Sequence, residues 1–128
     1  IHANTPRDAL LRLENMVMMA GFEMPVVAIR EHIASAIDIV VQQTRMADGS
    51  RKVTQIAEVT GREGDVITMQ EIFRYKQTGM SRKDGDLKVE GRFEATGNIP
   101  SFLEDLRARG MLDLDLAIFK PPRSEGPR

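Results

Sequence analysis

Ile37-Asp38-Ile39-Val40-Val41 is where the chain changes its period, and the fold turns on how this segment is read. It is short, β-branched and almost continuously apolar, which predicts a strand covered on both faces. On its amino-terminal side the apolar residues recur at helical spacing. Thr5 suits an N-cap, Pro6 the first helical position, and Asp8 completes a capping-box-like pattern with its charge at the positive end of the helix. Leu10, Leu13, Val17 and Ala20 then form one apolar stripe, and Gly21 provides the left-handed residue that ends a helix. Pro25 opens a second helix with Val26, Ile29, Ile33 and Ala36 on one face. Two helices with a single apolar stripe each should lie on a sheet rather than be buried all round.

On the carboxyl-terminal side the pattern alternates between turn signals. Asp48-Gly49 predicts a hairpin, with Val53 to Val59 as the returning strand. Gly61 to Asp65 reads as a second turn before a strand from Val66 to Tyr75, and Asp84-Gly85 as a third turn before a strand from Leu87 to Phe93. Pro100 precedes a helix carrying Phe102, Leu103 and Leu106 that stops at Gly110, and Leu112, Leu114 and Leu116 alternate with aspartates as in a short edge strand. The expected architecture is α/β, with two N-terminal helices, a mainly antiparallel β-meander and a C-terminal helix. It forms one unit over residues 1–120, with a flexible polar tail at 121–128.

Composition narrows the function classes. The chain has 128 residues, 41% of them apolar, enough for one core without a disulfide or metal. There is no cysteine, which excludes a thiol nucleophile, a zinc knuckle and an iron–sulfur site. With 18 basic and 19 acidic residues, neither non-specific nucleic-acid binding nor attachment to anionic lipid is expected. No apolar run approaches the ~18–20 residues that a membrane-spanning helix needs, so no membrane insertion is expected. Ile1-His2-Ala3-Asn4 has neither a basic leader nor an apolar run, and a helix start follows within a few residues of Ile1, so the chain reads as a piece of something longer.

Taken one residue at a time, the chemistry is sparse. His2 and His32 stand far apart without a second ligand at metal spacing, so no metal site is expected, and His32 beside Glu31 reads as a surface or half-buried helical residue. There is no GxxxxGKS/T and no GxGxxG, so the chain has no phosphate loop of its own. Asp84-Gly85-Asp86 lacks the remaining positions of a calcium loop and reads as a turn. Met16 reads as core, whereas Met18 and Met19 are left open as contacts to another segment. Arg7, Arg12, Arg30 and Arg45 are the cations to follow. An arginine fixed beside a phosphate stabilises transferring phosphoryl charge, and one on a solvated helix face only keeps a protein soluble.

In order, the chain carries His2-Ala3-Asn4-Thr5-Pro6-Arg7-Asp8-Ala9, Ala28-Ile29-Arg30-Glu31, Ile33-Ala34-Ser35-Ala36-Ile37-Asp38 and Asp48-Gly49-Ser50-Arg51-Lys52-Val53-Thr54. Glu63-Gly64-Asp65-Val66-Ile67, Phe93-Glu94-Ala95-Thr96-Gly97 and Pro100-Ser101-Phe102-Leu103 follow. Each stretch is unspecific alone, but their order and spacing resemble the C-terminal part of a CpaF-like ATPase of Tad/Flp pilus assembly, within the type II/type IV secretion ATPase superfamily. The resemblance covers nearly the whole chain. It implies the C-terminal portion of a RecA-like P-loop ATPase motor domain that works as a homohexamer. The ring would be cytoplasmic and peripheral at the inner membrane, acting with the pilus or secretion platform proteins there.

The resemblance also implies ATP and Mg2+ as ligands of the intact protein. It makes His2 the histidine-box residue near the γ-phosphate, and Arg7, Arg12 and Arg30 nucleotide-proximal candidates. The family's phosphate-binding lysine, its magnesium-binding carboxylates and its catalytic glutamate belong to motifs upstream of Ile1. These 128 residues alone are therefore expected to bind no cofactor and to be catalytically inactive. Because the family's sheet includes upstream strands, the segment around Ile37 to Val41 should leave an unpaired edge that favours self-association. The alternative expectation is a stand-alone, non-enzymatic protein-interaction domain that docks a partner on the meander and on the helix bearing Phe102, Leu103 and Leu106.

Overall fold

A computed structural model describes residues 1–123. Two helices, α1 (Pro6–Met19) and α2 (Val26–Ala36), lead into β1 (Ile39–Arg45), β2 (Arg51–Glu63), β3 (Val66–Lys83) and β4 (Asp86–Ala95). A short helix, α3 (Leu103–Ala108), and one 3-10 turn (Leu116–Phe119) follow. The four strands form a single antiparallel sheet in the order β1-β2-β3-β4. The architecture is thus α/β, with the helices and antiparallel meander expected from the sequence.

Local chemistry explains the boundaries. Thr5 Oγ1 accepts the Asp8 N–H at 3.0 Å, while Asp8 Oδ2 accepts the Asn4 N–H at 3.3 Å, so the start of α1 is closed from both sides. Gly21, at φ 83°, reverses the chain after α1, and Gly110, at φ 67°, does so after α3. The Asp48-Gly49 and Asp84-Gly85 turns fall between β1 and β2 and between β3 and β4. Asp84 and Gly85 both take positive φ, 53° and 83°, as a tight hairpin turn of the right twist requires.

One apolar cluster lies between the two helices and the sheet, built on Leu10, Ile29, Ile33, Val59 and Ile67, with Val40 and Ile37 packed against it. A second gathers Ile72, Leu103 and Phe119 under α3 and the 3-10 turn. Alternation along β2 turns Glu58 away from the Ala57 and Val59 side. There its buried carboxylate accepts the Ser101 N–H at 2.9 Å and also bonds the Ser101 hydroxyl and the Gln70 amide. This clasp fixes the entry to α3.

Several expectations are corrected. β1 is an edge strand and is not covered on both faces: Val41 is 57% exposed and Ile39 37%. It also begins at Ile39, because α2 runs on to Ala36. Gly61 is not part of a turn. It lies inside β2 at a bulge opposite Thr68, which leaves only Gly64-Asp65 between the strands. β3 does not stop at Tyr75 but continues to Lys83: its pairing with β2 ends at Arg74, while its pairing with β4 runs from Phe73 to Lys83 across a register shift between Gln77 and Gly79. Leu112 to Leu116 form no strand. The segment finds no ladder to join, and Asp115 instead caps the 3-10 turn by accepting the Ala117 N–H at 2.9 Å. Met16 is not core but 55% exposed. Of the expected tail, Pro121 to Arg123 have no regular structure, and residues 124–128 lie outside the described residues.

Candidate functional site

A groove of about 640 Å³ follows the outer edge of β1. Consecutive residues from Ile39 to Gln43, which point alternately to both faces, line it, so its floor is the strand edge itself. Leu10 and Leu13 of α1 form one wall, and the His2 imidazole and the Arg45 and Arg51 guanidinium groups add the polar part. The amino-terminal segment is held beside the groove by two attachments. One is the α1 cap at Thr5, and the other is the buried Gln42 side chain, whose amide donates to the Ala3 carbonyl at 2.8 Å. His2 is therefore an exposed side chain on an anchored backbone.

The other residues expected near a nucleotide are elsewhere. Arg7 and Arg30 line a smaller pocket of about 280 Å³, together with Glu14 and Asp65. Arg7 donates to the Ile67 carbonyl at 3.2 Å. Arg30 grips buried Glu14 through two parallel bonds of 3.0 and 3.2 Å and reaches the Asp65 carbonyl at 3.2 Å. The Glu14 hydrogen bond raises Arg30 above the ordinary guanidinium value, against an opposing effect of desolvation. Arg12 lies on the exposed side of α1, 3.4 Å from Asp8 one turn earlier, and lines neither pocket. The structure brings Arg7 and Arg30 together, leaves Arg12 apart, and sets His2 in a different groove from all three.

Arg45, one of the cations marked in the sequence, does share the groove with His2, and Arg51 joins it. The two arginines are register partners at the end of the first hairpin. The nearest acid in sequence, Asp48, does not face them with a free carboxylate. Its oxygens accept from Ser50 N–H at 2.9 Å and Val89 N–H at 2.8 Å, as well as from the Ser50 hydroxyl. The Ser50 hydroxyl first, then the Val89 and Ser50 amides, lower its pKa from 3.8 to about 2.

Sequence reasoning gave no separate role to Arg51 or Glu58 and marked Asp48 only as a turn residue. The first was visible as the mate of Arg45 across the five residues Met46 to Ser50, and the second as a lone acid within the apolar run Ile56-Ala57-Glu58-Val59. Asp48's bond to β4 had no sequence signal. His32 is a helical residue, as read from the sequence, and is exposed. Among the described residues no helix is long and apolar enough to cross a membrane. No protein-family model matches this chain, and no curated protein matches it.

Proposed function

We propose that this chain is the C-terminal part of a RecA-like P-loop ATPase motor of the type II/type IV secretion superfamily, of the CpaF-like kind that powers Tad/Flp pilus assembly. The carrying observation is the order and spacing of the motif stretches from His2 to Leu103. The way these stretches bond to one another supports the reading. Arg7 of the first and Arg30 of the second both reach carbonyls of the Glu63–Ile67 stretch, and the Asp48 turn bonds β4. Residues spaced along the chain in the family's order thus depend on one another in space.

On this reading His2 presents its imidazole to a phosphate oxygen of ATP, where a fixed donor favours the charge that develops during transfer. The phosphate-binding loop, the carboxylates for Mg2+ and the catalytic glutamate come from polypeptide preceding Ile1, and residues 1–128 alone turn over no ATP. The motor acts as a homohexamer beside inner-membrane platform proteins. Arg30 serves in it as a structural cation, since Glu14 occupies its fork. Arg12 remains exposed enough to face a neighbouring subunit.

The test begins with the reading frame upstream of Ile1, where GxxxxGKS/T and an acidic strand end are expected. In the chain that carries them, His2→Ala should reduce ATP turnover by about 10²-fold, the usual cost of losing one donor to transition-state charge. Unchanged turnover together with unchanged pilus assembly would defeat the role given to His2.

The second reading, a non-enzymatic interaction domain, keeps one specific observation in its favour. Met19 and Phe22, at the α1–α2 junction, are 86% and 67% exposed. Of the helix expected to dock a partner, Leu103 is buried against Ile72 and Phe119 with Leu106 packed beside them, and Phe102 alone of the three is exposed, at 36%. A start codon just before Ile1 would favour this reading over the motor.

A further inference from the structure

The turn of the first hairpin reaches across the sheet to its fourth strand. The Asp48 carboxylate accepts the Val89 N–H at 2.8 Å, and the Ser50 N–H at 2.9 Å and the Ser50 hydroxyl hold that carboxylate in place. Lys52, just past the turn, lies 5.7 Å over the Tyr75 ring of β3. Which side of β4 the Asp48 bond occupies follows from register. Asp84-Gly85 is a two-residue turn with both residues at positive φ, so its flanking pair, Lys83 and Asp86, is hydrogen-bonded. Bonded and non-bonded pairs alternate along an antiparallel ladder, which makes Met80 and Val89, three pairs on, a non-bonded pair. The Val89 N–H therefore faces away from β3, onto the outer edge of β4, where no further strand pairs among the described residues. A loop-borne carboxylate sits on an otherwise open edge, where it hinders the addition of another strand.

We propose that the outer edge of β4 is a pairing edge for a second copy of this chain, and that the Asp48 turn keeps it closed. The edge is complementary to itself. In an antiparallel pair centred on Val89, Lys88 stands opposite Glu90 of the second copy, and Asp86 stands opposite its Arg92. All four side chains are exposed. Each charge thus meets its opposite on both sides of the axis, which favours this register. A centre one residue on, at Glu90, would instead set Glu90 against itself and Lys88 against Arg92. In the favoured register Val89 exchanges both of its outward bonds with its own copy, and the Leu87 N–H meets the Gly91 carbonyl. Such a contact is two-fold and closes on itself, unlike the head-to-tail contacts of a six-membered ring, so it does not rest on the motor reading.

Sedimentation velocity and amide hydrogen exchange on the 128-residue protein test this together. Asp48→Ala should form a concentration-dependent dimer in which the Leu87 amide gains about tenfold protection or more. In the parent that amide, whose N–H faces the same open edge, should stay unprotected even where copies associate through β1. Adding Lys88→Glu should weaken the Asp48→Ala dimer roughly tenfold, and adding Glu90→Lys as well should restore it. Asp48→Asn, which keeps the turn but not the charge, should dimerise less strongly, and it serves as the test if the alanine variant does not fold. A variant that circular dichroism shows to be folded and that stays monomeric would overturn the proposal. A dimer that leaves Leu87 unprotected, or that is indifferent to Lys88→Glu, would overturn it equally.

Discussion

The two flanks of α1 meet the sheet in opposite ways. On one flank, Glu14 is buried and fully engaged by Arg30, which also holds the β2–β3 turn at Asp65, while Arg7 holds Ile67. On the other, among the described residues, β1 has no outer partner, Val41 is 57% exposed, and two arginines in register meet no carboxylate. The first flank is built for stability, and its polar groups are spent. The second carries uncompensated charge, an open hydrogen-bonding edge and apolar surface, which is the condition in which a covering strand gains free energy by arriving. The arginines that looked most promising by sequence, Arg7 and Arg30, lie on the flank that is already satisfied.

The sharpest contrast is reached by breaking the most satisfied group. Glu58→Leu removes the buried carboxylate that accepts from the Ser101 N–H, the Ser101 hydroxyl and the Gln70 amide, of which the last keeps the Ile99 carbonyl at 3.1 Å. At roughly 0.5–1.5 kcal/mol for each hydrogen bond lost, a loss of about 2–3 kcal/mol is expected in urea denaturation. A loss below about 1 kcal/mol would mean that water already reaches this clasp and that α3 is not anchored through it.

The Glu14–Arg30 pair comes next. Arg30→Leu strands a buried carboxylate and should destabilise clearly, whereas Glu14→Leu with Arg30→Leu should lie closer to the parent than the Arg30 variant does. A double-mutant cycle in thermal unfolding reads the coupling directly. Additive effects would show that the two parallel bonds contribute no coupling in solution.

Much of the fold was legible because its signals are local. Thr5, Gly21, Gly110 and the Asp-Gly turns act through their own backbone, so they mean the same thing in sequence and in space. The misreadings are of residues whose role a neighbour sets. Gly61 looks like a turn residue, yet it sits at a strand bulge, where the partner strand decides the register. Leu112, Leu114 and Leu116 alternate like a strand, but the segment pairs with neither edge of the sheet, and Leu112 and Leu116 pack instead against the cluster under α3. The candidate site divides in the same way. His2 could be marked from its sequence context, but the opposition of Arg45 and Arg51 is a fact of register, and the engagement of Arg30 is a fact of packing.

Asp48 should give a smaller effect, and its sign follows from its depressed pKa. A carboxylate held near 2 in the folded state and 3.8 when free contributes stability that is present above about pH 3.8 and lost as pH falls through about 2. Asp48→Asn should therefore flatten the acid limb of the stability–pH curve between those values and leave the neutral plateau shifted by a constant. An unaltered acid limb would mean that the bond from β4 to the first hairpin is not held in solution.

The smallest expected effect is also the one that separates the two flanks most cleanly. Arg45→Thr removes one of two like charges placed in register, puts a β-branched residue in an edge strand, and breaks no ion pair among the described residues. In the free protein it should be neutral to stabilising by about 0.2–0.5 kcal/mol, with the gain largest at low salt, where the repulsion is least screened. Loss of an arginine on the other flank can only destabilise, because there the fork is already engaged. A side chain whose removal improves the free fold is retained for something outside it. If Arg45→Thr instead costs more than about 1 kcal/mol, the arginine is held by contacts within the fold, and the two flanks are alike after all.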